Sequence, residues 1–242
     1  MATIRTMSNP IKSGPIASSL LAASLLASLL LPMPARAQPA TYRLDPVHTR
    51  VLFAISHAGF SHALGTVSGS TGTLVFDPDD WSSAKVSVSV PLTRLDLGDA
   101  GWNRAAGGHG LLDVNAYPVA TFVSSRIEPK DSTHAAVCGT LTLHGVGQNL
   151  CLQVTFNQLK RVSLPPFHRI AGFSATTTLS RKAFGIDAWP GVIGDEVELR
   201  IEAEAEPASS RDDNANAPPV QAPVPAVPAD TGARPSNPPT AP

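Results

Sequence analysis

The chain has 242 residues, 18 of them Lys or Arg and 19 Asp or Glu, with 43% hydrophobic residues and two cysteines. That length allows one domain with a substantial core. The near-balanced charge argues against nucleic acid, or an anionic membrane, as a partner recruited by charge.

At the N-terminus, Arg5 and Lys12 precede an unbroken run of Ala, Ser, Leu and Ile over residues 16–31, stopped by Pro32 and Pro34. Ala35-Arg36-Ala37 then offers the small residues a signal peptidase requires. The pattern predicts a secretory signal peptide over 1–37 and a mature chain beginning at Gln38. An uncleaved anchor is the alternative, but the apolar run is shorter than the roughly 20 residues that span a bilayer. After cleavage no membrane span remains, and 15 basic residues face 19 acidic ones, a net charge of −4.

From Thr41 onward the pattern has period two. Val51, Phe53, Ile55 and His57 alternate with Arg50, Leu52, Ala54 and Ser56, the signature of a strand with one face turned inward. A second strand is expected from Gly65 through to Phe76, followed by a turn at Asp77-Pro78-Asp79-Asp80. Val86, Val88 and Val90 continue the alternation. It stops over 95–117, where five glycines crowd around Trp102; short helical segments are expected near residues 99–113. Strands resume at 119–127, in a hairpin over 137–156, at 170–179 and at 197–205. In the hairpin Val137, Gly139, Leu141 and Leu143 share a face with Leu150, Leu152, Val154 and Phe156. His144-Gly145-Val146-Gly147 supplies its turn. About eight strands without a long amphipathic helix predict an all-β domain over 38–206, an antiparallel barrel or sandwich. Its inward face includes Phe53, Phe122, Phe156 and Phe173, beside small residues such as Gly69 and Gly139.

Residues 207–242 are a different polymer, with ten prolines among Ala, Ser, Asn and Asp. Such a segment lacks the apolar surface to offset its ordering entropy, and a disordered Pro/Ala-rich tail is expected. A spacer or cell-wall tether is its functional alternative.

Several blocks are more specific. Tyr42-Arg43-Leu44-Asp45-Pro46-Val47-His48 is followed by Phe53, His57 and Gly59, then Tyr117-Pro118-Val119-Ala120-Thr121-Phe122-Val123-Ser124. Gly139-Thr140-Leu141-Thr142-Leu143-His144-Gly145-Val146, Ser180-Arg181-Lys182-Ala183-Phe184-Gly185-Ile186 and Gly194-Asp195-Glu196-Val197 complete the series. In this order the blocks resemble the YceI-like polyisoprenoid-binding family over 41–206. The resemblance implies an extended, lipocalin-like, eight-stranded antiparallel β-barrel in the periplasm, with a long isoprenoid chain inside. There is a departure. Many members carry an Arg-Asp-x-His-Leu-like stretch after the strand at 86–92. Here the chain reads Trp102-Asn103-Arg104-Ala105-Ala106-Gly107-Gly108-His109-Gly110-Leu111-Leu112, so head-group recognition does not carry over.

Chemistry is sparse. His48, His57 and His62 lack any zinc spacing; His48 is read as organising the Asp45-Pro46 turn, and His57 as a core or ligand-facing side chain. Gly107-Gly108-His109-Gly110 lacks the lysine of a phosphate loop, and no nucleophile elbow or dinucleotide fingerprint occurs. Asp195 and Glu196 are adjacent on a strand and face opposite sides. Arg181 either meets a ligand's pyrophosphate or quinone carbonyl or forms a strand-end salt bridge, the commoner fate. Trp189-Pro190 reads as a lid or plug.

Together these features point to a binding module. Phe53, Ile55, His57, Phe122, Leu141, Phe156, Phe173 and Arg181 are expected to contact an isoprenoid-like lipid or quinone, with no metal and no cofactor. A solid structural barrel and a lipid- or quinone-modifying enzyme are the alternatives, and a homodimer stays open. Cys138 and Cys151 fall on the outer parity of the hairpin. They sit directly opposite or diagonally, depending on register, and an oxidising compartment favours a disulfide between them.

Overall fold

The structure, a computed structural model, describes residues 39–163 and 169–208. The expected signal peptide and nearly all of the Pro-rich tail lie outside the described residues. In chain order the elements are β1 (Ala40–Leu44), β2 (Arg50–His57), β3 (Ser61–Ser68), β4 (Thr71–Phe76), β5 (Lys85–Pro91), β6 (Leu95–Asp96) and helix α1 (Ala100–Gly107). They continue with β7 (Val119–Pro129), β8 (His134–Leu143), β9 (Val146–Arg161), β10 (Arg169–Ser180) and β11 (Ile193–Pro207). The helix expected near Trp102 is α1, capped by Asp99, whose carboxylate accepts from the amides of Gly101 and Trp102.

All pairings are antiparallel. The ring β1-β4-β5-β7-β8-β9-β10-β11 closes through β1–β11, giving an eight-stranded barrel. Two of its staves are broken. β11 pairs with β2 over Ile193–Glu202 and with β1 at Ala205–Pro207, so β1 and β2 form one kinked stave. β3 pairs with β2, and β4 with β1 and β5, so β3 and β4 form the next. The continuous strand expected over 65–76 is thus interrupted at Gly69-Ser70. Gly69 takes φ +78°, a left-handed conformation that glycine adopts without steric cost. The opposite break is made by Asp45, whose Oδ1 accepts from Val47 N–H at 2.7 Å and whose Oδ2 lies 2.6 Å from His48 Nδ1, the turn role expected for His48. Gly69 N–H donates to Pro46 O at 3.2 Å, joining the two breaks.

Two bulges reset the parity of the sheet. Against β8, Ser124 pairs with Gly139 and Arg126 with Cys138, leaving Ser125 as the extra residue. Against β10, Gln158 pairs with Gly172 and Phe156 with Phe173, leaving Asn157 over. The second bulge places the two phenylalanines side by side. They join a core of Tyr42, Leu74, Phe76, Trp81, Ala135, Ala171 and Ala205 that packs across one end of the barrel.

The β8–β9 hairpin takes the two-residue register, Leu143 opposite Val146, with His144 and Gly145 both at positive φ as a type I′ turn requires. Cys138 therefore lies directly opposite Cys151, and the two are joined in a disulfide. Closing a loop of 13 residues stabilises by about 3 kcal/mol in the chain-entropy model. Replacing both cysteines by Ala is expected to lower the melting temperature by roughly 6–12 °C, at 2–4 °C per kcal/mol for a domain of this size. Two thiols that alkylate freely in protein isolated under oxidising conditions would contradict the bridge.

At the opposite end of β8, Asp131 accepts from the amides of Thr133 and His134 at 2.7 and 2.8 Å and lies 2.9 Å from His134 Nδ1. The Thr133 amide first, and the His134 ring next, hold its carboxyl down to about 2, below its ordinary 3.8. A depressed folded-state pKa means the contribution is present above pH 3.8 and lost as the pH falls toward 2. Asp131→Asn is expected to flatten the acid limb of a melting-temperature profile across that window. An unchanged limb would show that the turn is not coupled to global stability.

Candidate functional site

The inward faces of the strands surround a cavity of about 520 Å³, within the range of roughly 300–1,000 Å³ typical of small-molecule sites. Its wall is aliphatic: Val51 and Ile55 from β2, Val88 and Val90 from β5, Leu150 and Leu152 from β9, Leu199 and Ile201 from β11. In a solid barrel such side chains would be buried. Here Val51, Phe53, Ile55, Val88, Leu141, Leu150, Leu152, Leu199 and Ile201 all remain partly exposed, because their inner surfaces face open space. The barrel is hollow along much of its length.

The two ends differ. At one, Phe76 sits 5.1–5.3 Å, centroid to centroid, from Trp81, Phe156 and Phe173, mostly edge-on or tilted, as aromatic quadrupoles prefer. This cluster is the floor. At the other end α1, Leu111, Leu112, Trp189, Val192 and Ile193 border the opening. Trp102 of α1 lies against His57, ring centroids 5.3 Å apart.

Two buried polar atoms on the residues of this wall have no hydrogen-bond partner among the described residues: the Ser70 hydroxyl, at the break in the β3–β4 stave, and Trp81 Nε1, in the floor. Both atoms are shielded from the lumen as well as from solvent, so they belong to the packing of the wall. Lys85 and Arg181 are the cations on the wall.

Residues 42–205 match the family model for the YceI-like domain. The chain belongs to the YceI-like family. A UPF0312 protein of Pseudomonas putida strain W619 is 34% identical over 171 residues, covering 70% of this chain and 88% of its relative. Among solved structures, BcnA of Burkholderia cenocepacia superposes with a TM-score of 0.60 at 24% identity, covering 66% of this chain and 98% of the other. A polyisoprenoid binding domain from Saccharophagus degradans implicated in plant cell wall breakdown gives 0.53 at 16% identity, covering 71% and 100%. At these identities the structural matches establish the fold.

Within this YceI-like barrel, Phe53, Ile55, His57, Phe122, Leu141, Phe173 and Arg181 all line the cavity. Phe156 does not; it packs in the floor cluster, outside the cavity wall. The Phe53 ring lies over Gly65, its partner on β3, where any Cβ would collide with it. Phe53 therefore flattens against the wall instead of blocking the lumen.

Arg181 lines the cavity and also holds the backbone beside it. It is 3% exposed, and its Nε, Nη1 and Nη2 donate to the backbone carbonyls of Gly194 (2.7 Å), Ile186 (2.8 Å) and Ile193 (2.9 Å). The guanidinium clamps both ends of the 186–194 loop, which carries Trp189 at φ +52° with its carbonyl accepting from the Val192 and Ile193 amides. Neither a salt bridge nor a ligand head accounts for these three bonds. Trp189, read as a lid or plug, borders the opening but is 56% exposed. His144 Nδ1 lies 3.2 Å from Phe184 O, and Gln148 Nε2 donates to Ala183 O at 2.8 Å, which ties the Arg181 turn to the β8–β9 hairpin. Among the described residues, no three His, Cys, Asp or Glu side chains gather as a metal site requires.

Sequence parity missed the rim. Leu97, Ala105, Ala106, Leu111 and Leu112 line the cavity from outside the strands. The apolar pairs 105–106 and 111–112 within a glycine-rich stretch were the signal available.

Proposed function

We propose that this protein binds one long apolar lipid of isoprenoid type in the barrel lumen and carries it between sites in the periplasm. The observation that carries this reading is the wall itself: aliphatic side chains on the inward faces of the strands, only partly buried around a cavity of about 520 Å³. An apolar chain entering it sheds surface worth roughly 25 cal/mol per Å², so affinity comes from length and fit, with little dependence on salt. The polyisoprenoid binding domain of Saccharophagus degradans, which shares the fold, supports this choice of ligand class. The half-exposed wall weighs against a solid structural barrel, whose inward side chains would be close-packed.

Native mass spectrometry of the protein purified from its own compartment, before and after organic extraction, tests both parts. The expected result is a single adduct that extraction removes, on a polypeptide whose N-terminus is Gln38. A protein with no adduct that also resists loading with a polyprenyl lipid would rule out the carrier. An N-terminus retaining residues 1–37 in the folded product would rule out the periplasmic location while leaving the ligand reading intact.

A further inference from the structure

Several exposed apolar side chains lie together at one tip of the barrel. Phe60 is 90% exposed, Trp189 56% and Trp102 45%. Phe60 sits on the β2–β3 hairpin, where Ala58 and Gly59 both take positive φ. This hairpin and the 188–193 loop form one piece: Ala58 N–H donates to Val192 O at 2.6 Å, and the Val192 and Ile193 amides both reach Trp189 O at 2.9 Å. Trp102 joins them through its contact with His57, the last residue of β2. Residues 58–61 and 188–193 contain no charged residue; the exposed Asp187 stands at the base of the second loop. Trp102, Trp189 and Val192 also line the cavity, so the exposed patch and the lumen form one continuous apolar surface.

We infer that this tip docks on a lipid bilayer, seating the mouth of the barrel in the interfacial layer so that an apolar ligand passes between membrane and lumen without crossing water. The inference rests on the apolar-ligand reading above. Continuity selects the occupant: a long-chain lipid is dissolved in a bilayer, and a lumen that widens into an apolar rim meets that phase directly. Tryptophan settles at headgroup depth, and an exposed phenylalanine beside it buries its ring in the acyl boundary. The loop amides bonded within the tip need not be stripped of water unpaired. Residues 38–242 carry a net charge of −4, and the charge nearest Trp189 in its loop is the acidic Asp187, so attachment proceeds by apolar burial, not by attraction to anionic headgroups.

The test uses the full mature chain and vesicles of zwitterionic phosphatidylcholine, with and without acyl chains brominated to quench tryptophan. The expected result is co-flotation with the vesicles and quenching of Trp102 and Trp189, unchanged from low to high salt. Phe60→Ser removes a side chain that supports no core, so the melting temperature should hold while vesicle partitioning falls about tenfold. Its affinity for a polyprenyl lipid presented in detergent should stay at the wild-type value, while the rate of lipid extraction from vesicles drops. Absence of flotation in a protein that carries its lipid adduct would overturn the docking surface and leave the carrier standing. Binding abolished by salt would overturn it as well. So would a wild-type dimer in solution that Phe60→Ser dissociates, which assigns the patch to a second copy. Equal loss of lipid affinity in detergent would place Phe60 in the ligand site instead.

Discussion

Arg181→Met is expected to destabilise the protein by at least about 3 kcal/mol. Hydrogen bonds to a charged donor contribute roughly 1.5–3 kcal/mol each. The substitution removes three and strands the carbonyl of Ile186 in a buried position and those of Ile193 and Gly194 in partly buried ones. The contributions are not additive, since all three bonds hold the same loop. Methionine keeps most of the side chain's volume, so the loss reports the bonds and not a void. At 2–4 °C per kcal/mol, the melting temperature should fall by roughly 6–12 °C. Arg181→Lys should recover only part of the difference, because an ammonium lacks the planar fork that reaches several carbonyls at once. The competing role, contact with a ligand head group, predicts the reverse pattern: a melting temperature within a degree or two of wild type and a large loss of lipid affinity. Thermal melts and lipid titrations on the same two variants separate the roles.

The strands were legible because period-two alternation is local: Val51 to His57 and Val197 to Ala205 each declare an inward face within one segment. Legibility ended where geometry depends on partners distant in sequence. Phe122 and Ile127 both line the cavity although five residues apart, an odd spacing that strict alternation forbids. The bulge at Ser125 reconciles them, and nothing in Ser124-Ser125-Arg126 announces it. Gly69 marked its break more openly, since a glycine inside a strand pattern is a standing sign of a bulge or bend. Phe156 shows the limit of parity from another direction. Its face was right, but height along the barrel axis decides whether an inward residue lines the lumen or the floor, and height follows from register across the whole ring. Arg181 was ambiguous for a similar reason. Its partners are main-chain carbonyls, which carry no side-chain signal at all. The hollow lumen had no sequence signature either: a solid core and an open one use the same Val, Leu and Ile, and differ in how far apart the walls stand.

Leu141→Trp is expected to weaken lipid binding by about a hundredfold or more while leaving the fold intact. Leu141 lies on β8 between Phe122 of β7 and Gln148 of β9, faces the lumen and is only half-buried. An indole at this position extends into open space, so no neighbour needs to move and the melting temperature should stay within about 2 °C of wild type, less than 1 kcal/mol on the scale above. The ligand then loses its path. Displacing about 100 Å² of apolar contact, at about 25 cal/mol per Å², costs about 2.5 kcal/mol, close to a hundredfold in affinity. A chain that must bend around the ring loses more. Leu141→Met, similar in volume, should bind as wild type does and controls for sequence change at this position. If the walls were instead close-packed in solution, Leu141→Trp would overpack a core and cost roughly 1–3 kcal/mol of stability. A sharp fall in melting temperature, in a protein on which no lipid is ever detected, would therefore reject the open lumen. Retained stability with binding lost ties the lipid to the space in front of Leu141.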